Sequence, residues 1–171
     1  MGRRALLAAP LFLLGGCGFT PVYAPVGSLS PSSDLAKVFV AVIPNRQGQV
    51  LREALQVRLE GSGGHAARTY TLRVNYGISS ESIGINPDSS SSFTRFRASA
   101  DWSLFPLLPG GSPLATGRAT AQDSFSVIVN QYFYSDLTTS AVDRRLADEI
   151  ANQIVLKLAA YFRKQAKLAE R

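Results

Sequence analysis

Residues able to do covalent or metal chemistry are few: the 171-residue chain has one cysteine, Cys17, and one histidine, His65. A single thiol excludes a disulfide framework. With a single imidazole it also excludes zinc-finger and multi-histidine metal sites, which need three or four such ligands. Ser-His-Asp catalysis would require His65 to be held by packed neighbours, yet it lies in the glycine-rich link from Gly61 to Ala67. There is no Gly-x-Ser-x-Gly elbow, phosphate loop or His-Glu-x-x-His helix. Paired carboxylates for glycosidic chemistry would have to come from Asp101, Asp123 and Glu81, and nothing in their sequence setting points to raised pKa values. The expectation is a binding protein rather than an enzyme, with no metal and no cofactor.

Cys17 has a chemistry of its own. Met1 to Arg4 is a short basic start, and Ala5 to Leu14 is an apolar run. That run is half the roughly 20 residues a transmembrane helix needs, and it describes an export signal instead. The tetrad Leu14-Gly15-Gly16-Cys17 resembles the lipobox of bacterial lipoproteins. There a pair of small residues lets the backbone enter the peptidase site, and the cysteine thiol is diacylated before cleavage. Residues 1–16 are then a lipoprotein signal peptide and Cys17 the lipidated first residue of the mature chain. The alternative is an ordinary secretory signal beside a buried cysteine. In lipoproteins of this kind an Asp directly after the acylated Cys retains the protein in the inner membrane. Here that position is Gly18, which favours the outer membrane.

Charge and composition set the rest of the frame. Eighteen Lys and Arg against 12 Asp and Glu give +6 and a pI near 9.8. Losing Arg3 and Arg4 with the signal leaves 16 against 12, or +4. A basic balance suggests anionic partners, and export argues against nucleic acid among them. With 46% hydrophobic and 18% charged residues, the chain is long enough for one domain with its own core.

The elements that position the side chains follow from hydrophobic periodicity. Residues 17–36 are rich in Pro, Gly and Ser and read as a lipidated flexible tether, ahead of a domain over 37–171. Val38 to Ile43 is an unbroken apolar, β-branched run of the kind found in strands covered on both faces. Asn45 to Leu59 has Val50, Leu51, Ala54, Leu55 and Leu59 at helical spacing, with Asn45 as N-cap, Gly61 as stop, and Arg52, Glu53 and Arg58 on a solvated face. Three alternating runs follow. Alternate residues on one side of each run from Tyr70 to Ile78, then from Thr94 to Leu104, then from Ala115 to Val127, and turn-rich links between them predict an antiparallel meander. The last helix is expected over Leu137 to Lys167, capped by Ser135 or Asp136, with Leu146, Ile150, Ile154, Leu158 and Phe162 at steps of four. Arg163, Lys164 and Lys167 in its last turns complement the helix dipole or meet lipid headgroups. The fold class is α+β: a small, mostly antiparallel sheet in β-α-β-β-β-α order with two helices packed on one face.

If the meander pairs in this way, Arg73, Arg95, Arg97 and Arg118 share the face of the sheet away from the helices. A guanidinium can form bidentate hydrogen bonds to phosphate, so such a face suits an anion. Equally, these are ordinary solvent-facing strand residues with Asp101 and Asp123 as counter-charges.

Several short segments, in their order and spacing, resemble the LptE family of lipopolysaccharide-assembly lipoproteins. They are Cys17-Gly18-Phe19-Thr20-Pro21-Val22-Tyr23 after the lipobox, and the strand ending at Pro44 before Leu51-Arg52-Glu53-Ala54-Leu55. Further on come the strand Tyr70 to Ile78, Asp123-Ser124-Phe125, Gln131-Tyr132-Phe133, and Asp143-Arg144-Arg145-Leu146-Ala147 with Ile150. The resemblance implies a non-enzymatic outer-membrane lipoprotein on the periplasmic face. Such a protein plugs the lumen of the LptD β-barrel, supports its assembly and contacts lipopolysaccharide on its way to the cell surface. It also implies lipopolysaccharide contacts near the loop between the second and third strands, where Arg95 and Arg97 are nearest and Arg73 and Arg118 share their face. A different class remains open: an auxiliary lipoprotein of an ABC-type lipid transport system, docking on soluble periplasmic partners.

Overall fold

A computed structural model of the protein describes residues 31–61, 66–85, 91–107, 110–126 and 132–169. The lipobox, Cys17 and His65 lie outside them. Seven elements follow one another: α1 (Pro31–Leu35), β1 (Val38–Val40), α2 (Asn45–Glu60), β2 (Tyr70–Ile85), β3 (Ser91–Pro106), β4 (Ala115–Ser126) and α3 (Tyr132–Ala169). The strands form one sheet in the order β1-β2-β3-β4, with β1 parallel to β2 and the other pairs antiparallel. The α+β class and the meander are therefore as expected.

Alternation determines which side of the sheet is covered. Leu72 of β2, Ala98, Ala100, Trp102 and Leu104 of β3, and Ala119 and Ala121 of β4 are all buried on one face. Ala98 stands opposite Ala121 and Ala100 opposite Ala119. These four small side chains make a flat floor on which α3 lies. The stripe Leu146, Ile150, Ile154, Leu158 and Phe162 is at most 3% exposed, and Leu51, Leu55 and Leu59 of α2 complete the same core. Each element is amphipathic and hides its apolar side only against the others.

Several boundaries differ from the periodicity reading. The tether was expected to run to residue 36, but Pro31–Leu35 is a helix, and Leu35 and Ala36 are 3% and 1% exposed, within the core. β1 is three residues long rather than six and is not covered on both faces: it is an edge strand, with Phe39 39% and Val42 72% exposed. Asn45 does not cap α2. The cap position is Pro44, with no side-chain cap bond, and Asn45 has a left-handed φ of 70° that a non-glycine residue adopts rarely. The closing helix begins at Tyr132, so Ser135 and Asp136 lie inside it. β2 continues well beyond its alternating run, to Ile85. Ser79, Ser80, Glu81 and Ser82 are all exposed, and backbone pairing with β3 sustains the strand there without burial.

Arg52 and Arg58, expected on a solvated face, turn out to be structural, and so is Arg68. Arg58 of α2 donates to Asp148 Oδ1 at 2.9 Å and Asn152 Oδ1 at 2.6 Å, tying α2 to α3. Arg52 donates to the carbonyl of Val40, and Arg68 to those of Ala36 and Val38. These carbonyls point away from β2, so two guanidiniums occupy acceptors that an edge strand otherwise offers to another chain. At the opposite edge the Gln153 amide pairs with both the N–H and the C=O of Thr120, and Lys157 donates to the carbonyl of Arg118.

Trp102 explains one glycine. Gly117 stands opposite it, and a Cβ there would lie 2.7 Å from Trp102 Cζ2. The indole is 4% exposed and packed in the core, so it cannot swing away. Gly117→Val should lower stability by about 1–3 kcal/mol through overpacking, measured as a shift in the urea midpoint. An unchanged midpoint would mean that the indole is free to move.

Candidate functional site

The face of the sheet opposite the helices carries the candidate site. The observed register places Arg73 (β2), Arg95, Arg97 and Asp101 (β3), and Arg118 (β4) on it together, as alternation predicted. Around them stand Asn75, Ser79, Ser99, Thr120, Gln122 and Ser124, so the face is polar almost throughout.

The four arginines are not equivalent. Arg118 is committed to Asp101, with Nε to Oδ1 at 2.7 Å and Nη2 to Oδ2 at 2.8 Å, a fork-to-fork pair across β3 and β4. That hydrogen bonding holds the Asp101 carboxyl below the usual carboxylate range and raises the Arg118 pKa in turn. Both side chains are more than half exposed, so the pair sets geometry more than stability. Arg73 lies over the Phe105 ring, its Cζ 4.8 Å from the centroid.

Arg95 and Arg97 stand apart from these. Arg95 sits between Glu81 and Ser124, Arg97 between Ser79 and Gln122, and neither has an ion pair among the described residues. They are two positions apart on one strand, about 7 Å. Two unneutralised guanidiniums at that spacing can each present a planar fork to one doubly charged or two neighbouring anionic groups.

Asp123, read as a counter-charge for this face, is on the helix side, where Arg145 of α3 donates to it at 2.7 Å. Of the three carboxylates considered for catalysis, Asp101 and Asp123 are thus each held by an arginine, and Glu81 stands opposite Arg95 in the ladder.

Phe93 is the residue the sequence reading missed. It is 51% exposed and shares the outer face with Arg95 and Arg97. Counting the alternation of β3 back by one residue from Thr94 would have found it. An aromatic side chain next to two free cations is an amphiphilic patch, able to meet an anionic group and an apolar chain together. On the covered side the Tyr76 hydroxyl is buried without a hydrogen-bond partner among the described residues, and burial, with Asp143 nearby, pushes its pKa well above the usual tyrosine value. Tyr76 therefore belongs to the core.

Solved structures share the fold. A Caulobacter crescentus protein assigned as a lipoprotein superposes with a TM-score of 0.63 at 20% identity, over 79% of this chain and 96% of its own. A minor lipoprotein of Acinetobacter baumannii gives 0.56 at 20% identity, over 73% and 92%. The rare lipoprotein B of Shewanella oneidensis gives 0.55 at 11% identity, over 75% and 96%. At these identities the likeness is one of fold. No family model matches the chain, and no curated protein matches it significantly.

Proposed function

We propose that the protein is an outer-membrane lipoprotein, acylated at Cys17, that plugs the lumen of an LptD-like β-barrel, supports its assembly and passes lipopolysaccharide through its Arg95–Arg97 face. It acts by binding, without catalysis. One observation carries this reading: a closed apolar core lies behind a polar sheet face whose free cations stand far from the end where the chain enters. β2 and β3 are each 16 residues long, about 50 Å from base to tip. Arg97 and Arg95 lie nine and eleven positions from Pro106 at the base of β3, or about 30–37 Å. The apolar band of an outer-membrane barrel is about 25 Å tall. A domain with its base at the periplasmic surface therefore reaches the outer leaflet with these residues, where lipid A phosphates are found. The polar face suits a barrel interior, which is polar. The fold shared with proteins named as lipoproteins supports the anchor.

Co-purification tests the complex. Extraction from outer membranes in mild detergent should bring down a large β-barrel with this protein. An auxiliary lipoprotein of an ABC-type system would bring down soluble or inner-membrane partners instead, and that outcome would displace the proposal.

The face is tested separately. Arg95→Glu with Arg97→Glu should weaken lipopolysaccharide binding tenfold or more, since each charge-assisted hydrogen bond contributes about 1.5–3 kcal/mol. The melting temperature should fall only slightly: neither side chain is buried, and the exchange at 95 sets a second carboxylate opposite Glu81 on an exposed ladder, a cost of about 0.2–1 kcal/mol. Unchanged affinity together with unchanged melting would remove this face from the site.

A further inference from the structure

The end of the molecule opposite the hairpin tip carries a surface that lumen plugging leaves unused. The start of β2, α1, the link from β3 to β4 and the last turns of α3 meet there around an open cleft of about 340 Å³, lined by Asp34, Tyr70, Leu114, Tyr161, Phe162 and Ala169. Leu107, Leu114 and Leu168 at this end are 52%, 41% and 54% exposed. Along α3, the exposed Lys164, Lys167 and Leu168 lie at i, i+3 and i+4 and so share one face. Neither Lys164 nor Lys167 has an ion pair among the described residues. Asp34, the carboxylate lining the cleft, is held by Lys37 at 2.8 Å.

The helix dipole accounts for cations in a last turn, but not for leucines beside them. A single exposed leucine is ordinary; three at one end, with Lys164 and Lys167 on the same helix face as Leu168, are the composition of an interfacial surface. This is also the end at which the chain arrives. Thirteen residues lie between Cys17 and Pro31, a reach of at most about 50 Å, whereas the hairpin tip lies about another 50 Å beyond the base.

We propose that this end rests on the anionic headgroup layer of the bilayer holding the Cys17 acyl groups. Leu107, Leu114 and Leu168 enter the boundary between headgroups and acyl chains, and Lys164 and Lys167 meet lipid phosphates. The inference rests on the anchor reading above and adds an orientation to it: base on the bilayer, Arg95 and Arg97 directed away.

The test places an environment-sensitive fluorophore on single introduced thiols, Leu114→Cys and Leu168→Cys at this end and Ser99→Cys on the outer sheet face. The mature chain carries Cys17→Ser, with a hexahistidine tag in place of residues 1–16, and is held by nickel-chelating lipid on vesicles of phosphatidylcholine with one third phosphatidylglycerol. Emission at positions 114 and 168 should rise several-fold and shift to the blue, with no change at 99. Adding Lys164→Glu and Lys167→Glu, or omitting phosphatidylglycerol, should remove most of the rise. Water-like emission at all three positions overturns the proposal. Acylation is read apart from this, as the intact mass of the wild-type protein from cell envelopes, so a failure of the anchor and a failure of the contact are distinguishable.

Discussion

Leu158→Asp should abolish or nearly abolish the folded state. Leu158 is 0% exposed, in the middle of the α3 stripe that covers the alanine floor of the sheet. Losing the leucine packing alone costs about 2–5 kcal/mol. A carboxylate in its place has no cation within the buried set, where among the described residues the polar and charged class is empty, and an uncompensated buried charge costs several kcal/mol more. The sum rivals the whole stability of a typical domain, about 5–15 kcal/mol. Leu156→Asp is the control: Leu156 is 46% exposed, two residues away on the solvent side, and should change stability by about 0.5 kcal/mol or less. Buried in a residual fold, the new carboxyl has a raised pKa, so the native state binds more protons than the unfolded chain. Its deficit should narrow as pH falls and widen as pH rises. Urea denaturation of the two variants decides the matter, and a wild-type midpoint for Leu158→Asp would show that α3 is not packed as described.

Cys17→Ser should remove acylation entirely. The substitution changes one atom and keeps size and backbone, so its effect isolates the nucleophile: a thiol is ionised near neutral pH far more readily than a hydroxyl. Without the thioether the signal residues 1–16 should stay uncleaved, and the chain should remain with the inner membrane instead of reaching the outer one. Anchoring strength comes from the acyl chains, at about 0.8 kcal/mol per buried CH₂, and a single chain holds only marginally. On the proposed function, retention of the processed protein at the membrane depends on the full modification. Palmitate labelling and intact mass report it directly. A variant that still incorporates palmitate would place the acyl group elsewhere and end the case for Cys17.

The arginine face was legible because side-chain direction in a strand is a matter of parity. With Tyr70 to Ile78, Thr94 to Leu104 and Ala115 to Val127 as strands, Arg73, Arg95, Arg97 and Arg118 have to share a side, and they do. Parity says nothing about partners. Whether Arg118 meets Asp101 or stands free depends on the β3–β4 register, which a shift of one residue would have altered. The free pair, Arg95 and Arg97, emerged only by subtraction, after the register had assigned Asp101 to Arg118 and the helix side had claimed Asp123.

The amino-acid sequence by itself determined the periodicities, and with them the meander, the apolar stripe of α3 and the side on which each arginine stands. Each is a local property, set by residues within a few positions of one another. Tertiary structure alone decided the short β1, the buried end of the presumed tether, the edges closed by Arg52, Arg68 and Gln153, and the split of four arginines into occupied and free. Those outcomes join residues far apart in the chain, as Arg58 with Asp148 or Gln153 with Thr120. A hydrogen bond or ion pair is specified by the distance between its partners in the folded molecule, and no spacing along the chain encodes that distance.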